Sequence, residues 1–118
     1  MNLLILKRGD VVTADFRGAE GTEKQGRRSC VIVQNDIGNA KSPLTIVAPL
    51  TDAGQFKGLP VQVLVSAAEL GNGGKDSCVE CGHIRSIDRN RIGRRVSSLN
   101  AVVMSRIDAA LRVSLDLR

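Results

Sequence analysis

The apolar residues of this chain arrive in short bursts, and the rhythm of the bursts changes only once. DVVTADFR (10–17) alternates apolar and polar positions, the period of a half-buried strand. RRSCVIVQ (27–34), LTIVAPLT (44–51) and VQVLV (61–65) are β-branched runs of strand length. Between them stand GAEGTEKQG (18–26), NDIGNAKSP (35–43), DAGQFKGLP (52–60) and GNGGK (71–75), which are turn and loop chemistry. SAAEL (66–70) makes room for one helical turn. DSCVECGHIRSID (76–88) is strand-like throughout, with Gly82 as a bend or bulge. RNRIGRRVSS (89–98) reads as a short irregular or helical piece and a last strand. From residue 100 the period becomes helical. Val103, Ile107, Ala110, Leu111, Ser114 and Leu115 share one face, Asn100 is the N-cap, and Leu99 staples onto Met104. Pro49 places its section of strand at an edge or near an end. This pattern predicts a mainly β fold: a small, strongly curved antiparallel sheet or barrel covered by a C-terminal amphipathic helix.

A length of 118 residues suits one core and one domain over 1–118. No apolar stretch approaches a membrane span, and the cations of MNLLILKRGD follow its apolar patch, the reverse of a signal peptide. A cytoplasmic location is expected. The net charge is +5, and most of the cations are arginine, which recognises phosphate bidentately where lysine is a point charge. Nucleic acid or an acidic protein fits such a balance. Phe16 and Phe56 are the whole aromatic complement, too few for a base-stacking platform. Cys78 and Cys81 are spaced like metal ligands and His83 follows, but a closed zinc site takes four ligands and Cys30 alone is left as the other thiol. All three cysteines lie in strand-like sequence, where a free thiol is ordinarily core. No metal or cofactor is expected.

Arg28 stands at the head of the second strand. If that strand pairs antiparallel with the third about the turn at 38–41, Val33 faces Ile46, Val31 faces Ala48, and Arg28 faces Thr51. The pleat puts Arg28, Cys30 and Ile32 on one face, with Thr51, Pro49 and Val47 as their partners. A guanidinium and a hydroxyl then meet at one rim, where the Gly-rich loops 18–26 and 52–60 also emerge. That pair is equipment for a phosphate; the plainer alternative is a solvated strand-end charge. RSIDRNRIGRR (85–95) is a second basic stretch, able to follow a phosphate backbone or simply to face solvent. No P-loop, GxGxxG or Ser-His-Asp motif is present.

KRGDVVTADF (7–16), VQNDIGN (33–39), VAPLT (47–51), GLPVQV (58–63), DSCVECGHIRSID (76–88) and the closing helix stand in an order and spacing that resemble the MazF/PemK family of toxin endoribonucleases. The resemblance implies an SH3-like curved barrel, a homodimer, and metal-independent cleavage of single-stranded RNA to 2′,3′-cyclic phosphate and 5′-hydroxyl ends. It also implies a cognate antitoxin whose acidic, disordered tail blocks the site. The family's catalytic arginine and threonine fall on Arg28 and Thr51. Phosphate chemistry then sets Arg28 on the scissile phosphate and Thr51 on a non-bridging oxygen, as expected roles. Substrate-binding positions fall on Thr22, Glu23, Leu59, Pro60, Asp76 and Ser77. His83 stands where many relatives have Gln, Gly82 where Glu is frequent, and Ser29 where Pro often follows the arginine; these departures bear on base preference, and His83 joins the substrate-binding set. Two other readings share the fold. A gyrase poison of the CcdB type acts through an aromatic-containing tip at the end of its last helix, and SLDLR has no aromatic. A catalytically inactive binding module would not need both Arg28 and Thr51.

Overall fold

The computed structural model describes residues 5–16 and 26–118. Its strands are β1 (Asp10–Asp15), β2 (Arg27–Ile32), β3 (Leu44–Asp52), β4 (Gln62–Val65), β5 (Ser77–Glu80), β6 (Arg85–Asp88) and β7 (Ile92–Ser98). The helices are α1 (Asp36–Lys41), α2 (Ala67–Leu70) and α3 (Ala101–Ser114). Among the described residues the strands form one curved antiparallel sheet in the order β4-β5-β3-β2-β1-β7, with β6 also paired to β3. β4 and β7 are the two outer strands, so the sheet curves without closing.

β3 is the hub. Its first half pairs with β6 from Leu44↔Asp88 to Val47↔Arg85, and its end pairs with β5 from Leu50↔Val79 to Asp52↔Ser77. On the opposite edge it pairs with β2 at Cys30↔Pro49, Val31↔Ala48 and Ile32↔Val47. This is the register expected from the turn. The bend expected at Gly82 is a single 3-10 turn, Cys81–His83, between β5 and β6. Pro49 lies inside β3 rather than at an edge. It is tolerated because it falls opposite that turn, where neither β5 nor β6 pairs with it and no ladder donor is required.

Both faces of the central strands are buried, as the β-branched runs foretell. One face packs Val11, Val31, Ala48, Leu50 and Val79 under Val103, Ile107, Ala110 and Leu111 of α3. The other gathers Val12, Ala14, Phe16, Cys30, Ile32 and Val47. Ile107 is fully buried; truncation to Ala there costs about 2–5 kcal/mol. Asn100 caps α3, its side chain accepting from Val103 N at 2.9 Å. The apolar face of that helix stops at Leu111, short of its expected end. Ser114 is half-buried, and Leu115 is the C-cap and exposed.

Residues 35–43, whose composition reads as a turn, contain α1. Asn35 caps it, accepting from Gly38 N at 2.8 Å. Gly38 and the missing apolar period hide a helix held by one polar side chain, the buried Asn39. α2 carries a full capping box from Ser66 and Glu69.

Candidate active site

Arg28 and Thr51 stand at the ends of paired strands. The β2–β3 register, carried two residues past Cys30↔Pro49, sets them opposite each other. Both are half-buried, and both line two adjoining hollows of about 900 and about 1000 Å³, each large enough for a nucleotide-sized ligand. The first hollow is bounded by Arg27, Lys75, Ser77 and the Gly71–Gly74 turn. The second is bounded by Phe16, Lys57, Leu59, Gln62, Glu80, His83 and Arg85. Arg28 and Thr51 therefore form the ridge between two concavities rimmed with cations. Arg27 lies against the backbone of Gly93 in β7, where any Cβ would collide with its guanidinium and with Thr13 Oγ1.

Thr51 is held from behind. Its hydroxyl donates to Glu80 Oε2 at 3.0 Å, with Cys78 O a longer acceptor at 3.4 Å. Gln62 Nε2 donates to the same carboxylate at 3.3 and 3.2 Å and to Gln55 O at 3.1 Å. Gln62 is oriented in turn by Lys57 N, which donates to its Oε1 at 2.8 Å. Three strands thus meet in one polar network: β3 supplies Thr51, β4 Gln62 and β5 Glu80. Among the described residues the Arg28 side chain has no hydrogen bond or ion pair, so its donors are left for the hollows it lines.

The thiols surround this network. Burial pushes Cys30 up to about 12, against the pull of the Arg28 guanidinium. Burial, then the charge of Glu80, raises Cys78 to about 11. Burial likewise raises Cys81 to about 12. They are protonated packing groups, the wrong state for a nucleophile or a metal ligand.

The substrate-binding candidates divide. Leu59 and His83 line the second hollow and Ser77 the first. His83 is exposed on the 3-10 turn, and the next strand carries Arg85 over the Phe16 ring at 5.0 Å. Pro60 follows Leu59 but borders neither hollow. Asp76 is occupied structurally: its carboxylate accepts from Ala67 N at 2.8 Å at the start of α2. Thr22 and Glu23 lie outside the described residues, as does most of the loop 18–26.

A family model described as PemK-like, MazF-like toxin of type II toxin-antitoxin system matches residues 7–115. The chain belongs to this family. Endoribonuclease EndoA of Bacillus subtilis is 40% identical over 114 residues, covering 97% of both chains. Endoribonuclease MazF of Staphylococcus epidermidis is 36% identical over 113 residues, 96% of this chain and 93% of that one. Among solved structures, MazF from Deinococcus radiodurans superposes with a TM-score of 0.78 at 25% identity, covering 96% and 98% of the two chains. A mycobacterial endoribonuclease in complex with its cognate antitoxin superposes at 0.79 and 20% identity, covering 96% and 97%.

In this PemK/MazF-family chain, sequence reasoning misses Glu80, Gln62, Gln55 and Arg85 as parts of the site. Glu80 has one available signal, a carboxylate inside the apolar run SCVEC. Gln62 and Gln55 have none, because their roles depend on contacts across the sheet.

Proposed function

We propose that this chain is an endoribonuclease toxin that cuts single-stranded RNA at the Arg28–Thr51 ridge. The observation that carries the reading is the placement of an uncommitted guanidinium and a hydroxyl at the junction of two cation-rimmed hollows. A strand running through both hollows places one phosphodiester on the ridge. Its own 2′-oxygen attacks the phosphorus and loses its proton. The bond to the 5′-oxygen breaks, and that oxygen gains a proton, leaving a cyclic phosphate and a 5′-hydroxyl. DNA lacks the attacking group and is spared. Arg28 binds the non-bridging oxygens and stabilises the charge that grows on them. The reaction uses side-chain cations and needs no added metal.

Leu59, Pro60, Ser77 and His83, with Thr22, Glu23 and Asp76, are the positions we assign to reading the bases. The chain acts in the cytoplasm as a homodimer, and an antitoxin with an acidic disordered tail neutralises it. The likeness to a toxin solved with its antitoxin supports that pairing, as does the +5 charge. The two curated relatives named endoribonucleases support the activity.

The test is digestion of a long mixed-sequence RNA in EDTA, with the product ends characterised. Discrete fragments with cyclic phosphate and 5′-hydroxyl ends are expected, with a loss of roughly a thousandfold or more in Arg28→Ala and no change in its circular dichroism. Intact RNA, or an Arg28→Ala variant that cuts normally, overturns the assignment.

A further inference from the structure

Glu80 is a carboxylate in a place where the fold asks for an apolar side chain. It is only 9% exposed, its neighbours Val79 and Cys81 are fully buried, and among the described residues it has no salt-bridge partner. A buried polar side chain needs hydrogen-bond partners, and an apolar residue of similar volume would ordinarily pack better there. What the carboxylate does instead is accept: both oxygens take Gln62, and Oε2 takes Thr51.

The consequence falls on Thr51. A hydroxyl has one hydrogen and two lone pairs. The Thr51 hydrogen goes to the nearer acceptor, Glu80 Oε2 at 3.0 Å, rather than to Cys78 O at 3.4 Å. Only lone pairs are then left to face the ridge. An RNA linkage offers two kinds of polar group there: anionic oxygens, which accept, and the 2′-hydroxyl, which donates. Arg28 suits the first. Thr51, with its hydrogen committed, suits the second.

We infer that Glu80 is a positioning residue that commits the Thr51 hydrogen, so that Thr51 meets the substrate as an acceptor and holds the attacking 2′-hydroxyl. This rests on the ribonuclease reading and reverses the role that phosphate chemistry alone suggests for Thr51, a donor to a non-bridging oxygen. Standing behind the hydroxyl, the carboxylate also disfavours a phosphate oxygen at Thr51 and leaves the anion to Arg28.

The experiment measures steady-state cleavage of an RNA oligonucleotide with one susceptible linkage, and binding of the same oligonucleotide with a 2′-deoxy sugar there. Glu80→Leu removes the acceptor and releases the hydrogen. It should lower kcat about tenfold or more with KM within about threefold, and leave the thermal midpoint unchanged or higher. Glu80→Gln keeps an acceptor oxygen and should stay within about threefold of the wild type. In a Thr51→Val background, Glu80→Leu should cost nothing further. Thr51→Val itself should leave binding of the 2′-deoxy oligonucleotide within about twofold, because the contact it removes is to the missing hydroxyl. Glu80→Ala carries the same expectation as Glu80→Leu and stands in if that variant does not fold. Wild-type kcat in the variant lacking the carboxylate, full additivity with Thr51→Val, or weakened 2′-deoxy binding in Thr51→Val overturns the inference. Arg28→Ala run alongside separates the levels. If it cuts normally, the site assignment fails and this inference with it. If it is inactive while removal of the Glu80 carboxylate has no effect, only this inference fails.

Discussion

β3 carries a threonine near each end, and the two do different work. Thr45 is fully buried, and its hydroxyl donates to Asn39 Oδ1 at 2.8 Å. Asn39 donates to Gln34 O at 3.0 Å and Asp36 Oδ1 at 3.2 Å, while Gln34 donates to Asn39 Oδ1 at 3.1 Å and Leu44 O at 3.0 Å. The polar groups at the centre of that network are satisfied within it, and neither of the two hollows opens on it. At the other end Thr51 is half-buried, leans on a carboxylate and faces two hollows and a guanidinium. The same side chain on the same strand closes a structure in one place and presents chemistry in the other. The difference lies in what remains uncommitted after the local hydrogen bonds are made.

The largest effect that tests this contrast is alkaline. The three thiols lie toward the Thr51 end: Cys30 pairs with Pro49, Cys78 pairs with Thr51, and Cys81 opens the turn that follows β5. Their folded values stand above the ordinary 9.0, at about 12, 11 and 12. The unfolded chain therefore releases these protons first, so their stabilising contribution is whole below pH 9 and is lost as pH rises toward the folded values. Each thiol weighs on the order of 1 kcal/mol per pH unit in that window. Denaturant midpoints should be level from about pH 7 to 9 and fall steeply from about 9 to 11. A level profile throughout would mean the Thr51 end is wetter than its packing indicates.

Next in size is Thr51→Val, which should slow cleavage roughly a hundredfold by misplacing the attacking group, with the unfolding midpoint nearly unmoved. Asn39→Ala should do the reverse. It strands the Thr45 hydroxyl and leaves the Gln34 amide with Leu44 O alone, costs about 2 kcal/mol of stability in denaturant titration, and leaves the folded protein's kcat within about twofold. Thr45→Val is the smallest and the sharpest. Asn39 Oδ1 keeps Gln34 as a donor, so the cost should be about 1 kcal/mol, again with normal cleavage. If Thr45→Val slows cutting as Thr51→Val does, the two ends of β3 are coupled and the contrast collapses.

Nearest-neighbour rules reach a definite distance into this fold. The pleat's period of two assigns faces to the strands, the change of period at residue 100 locates α3, and Asn100 marks its start. The turn centre sets the β2–β3 register, and that register alone brings Arg28 to Thr51. Short-range rules fail where a side chain's partner is distant. α1 is hidden because Asn39 and Thr45, not an apolar stripe, hold it. Pro49, expected at an edge or near an end, lies toward the end of a central strand, because the gap between β5 and β6 exists only once both are folded onto β3. Glu80 looks like an interruption of an apolar run, and its meaning depends on a contact 29 residues away. Periodicity says which way a side chain points; only the folded sheet decides what stands there to receive it, because a hydrogen bond is set by geometry within a few tenths of an ångström and no local pattern carries that.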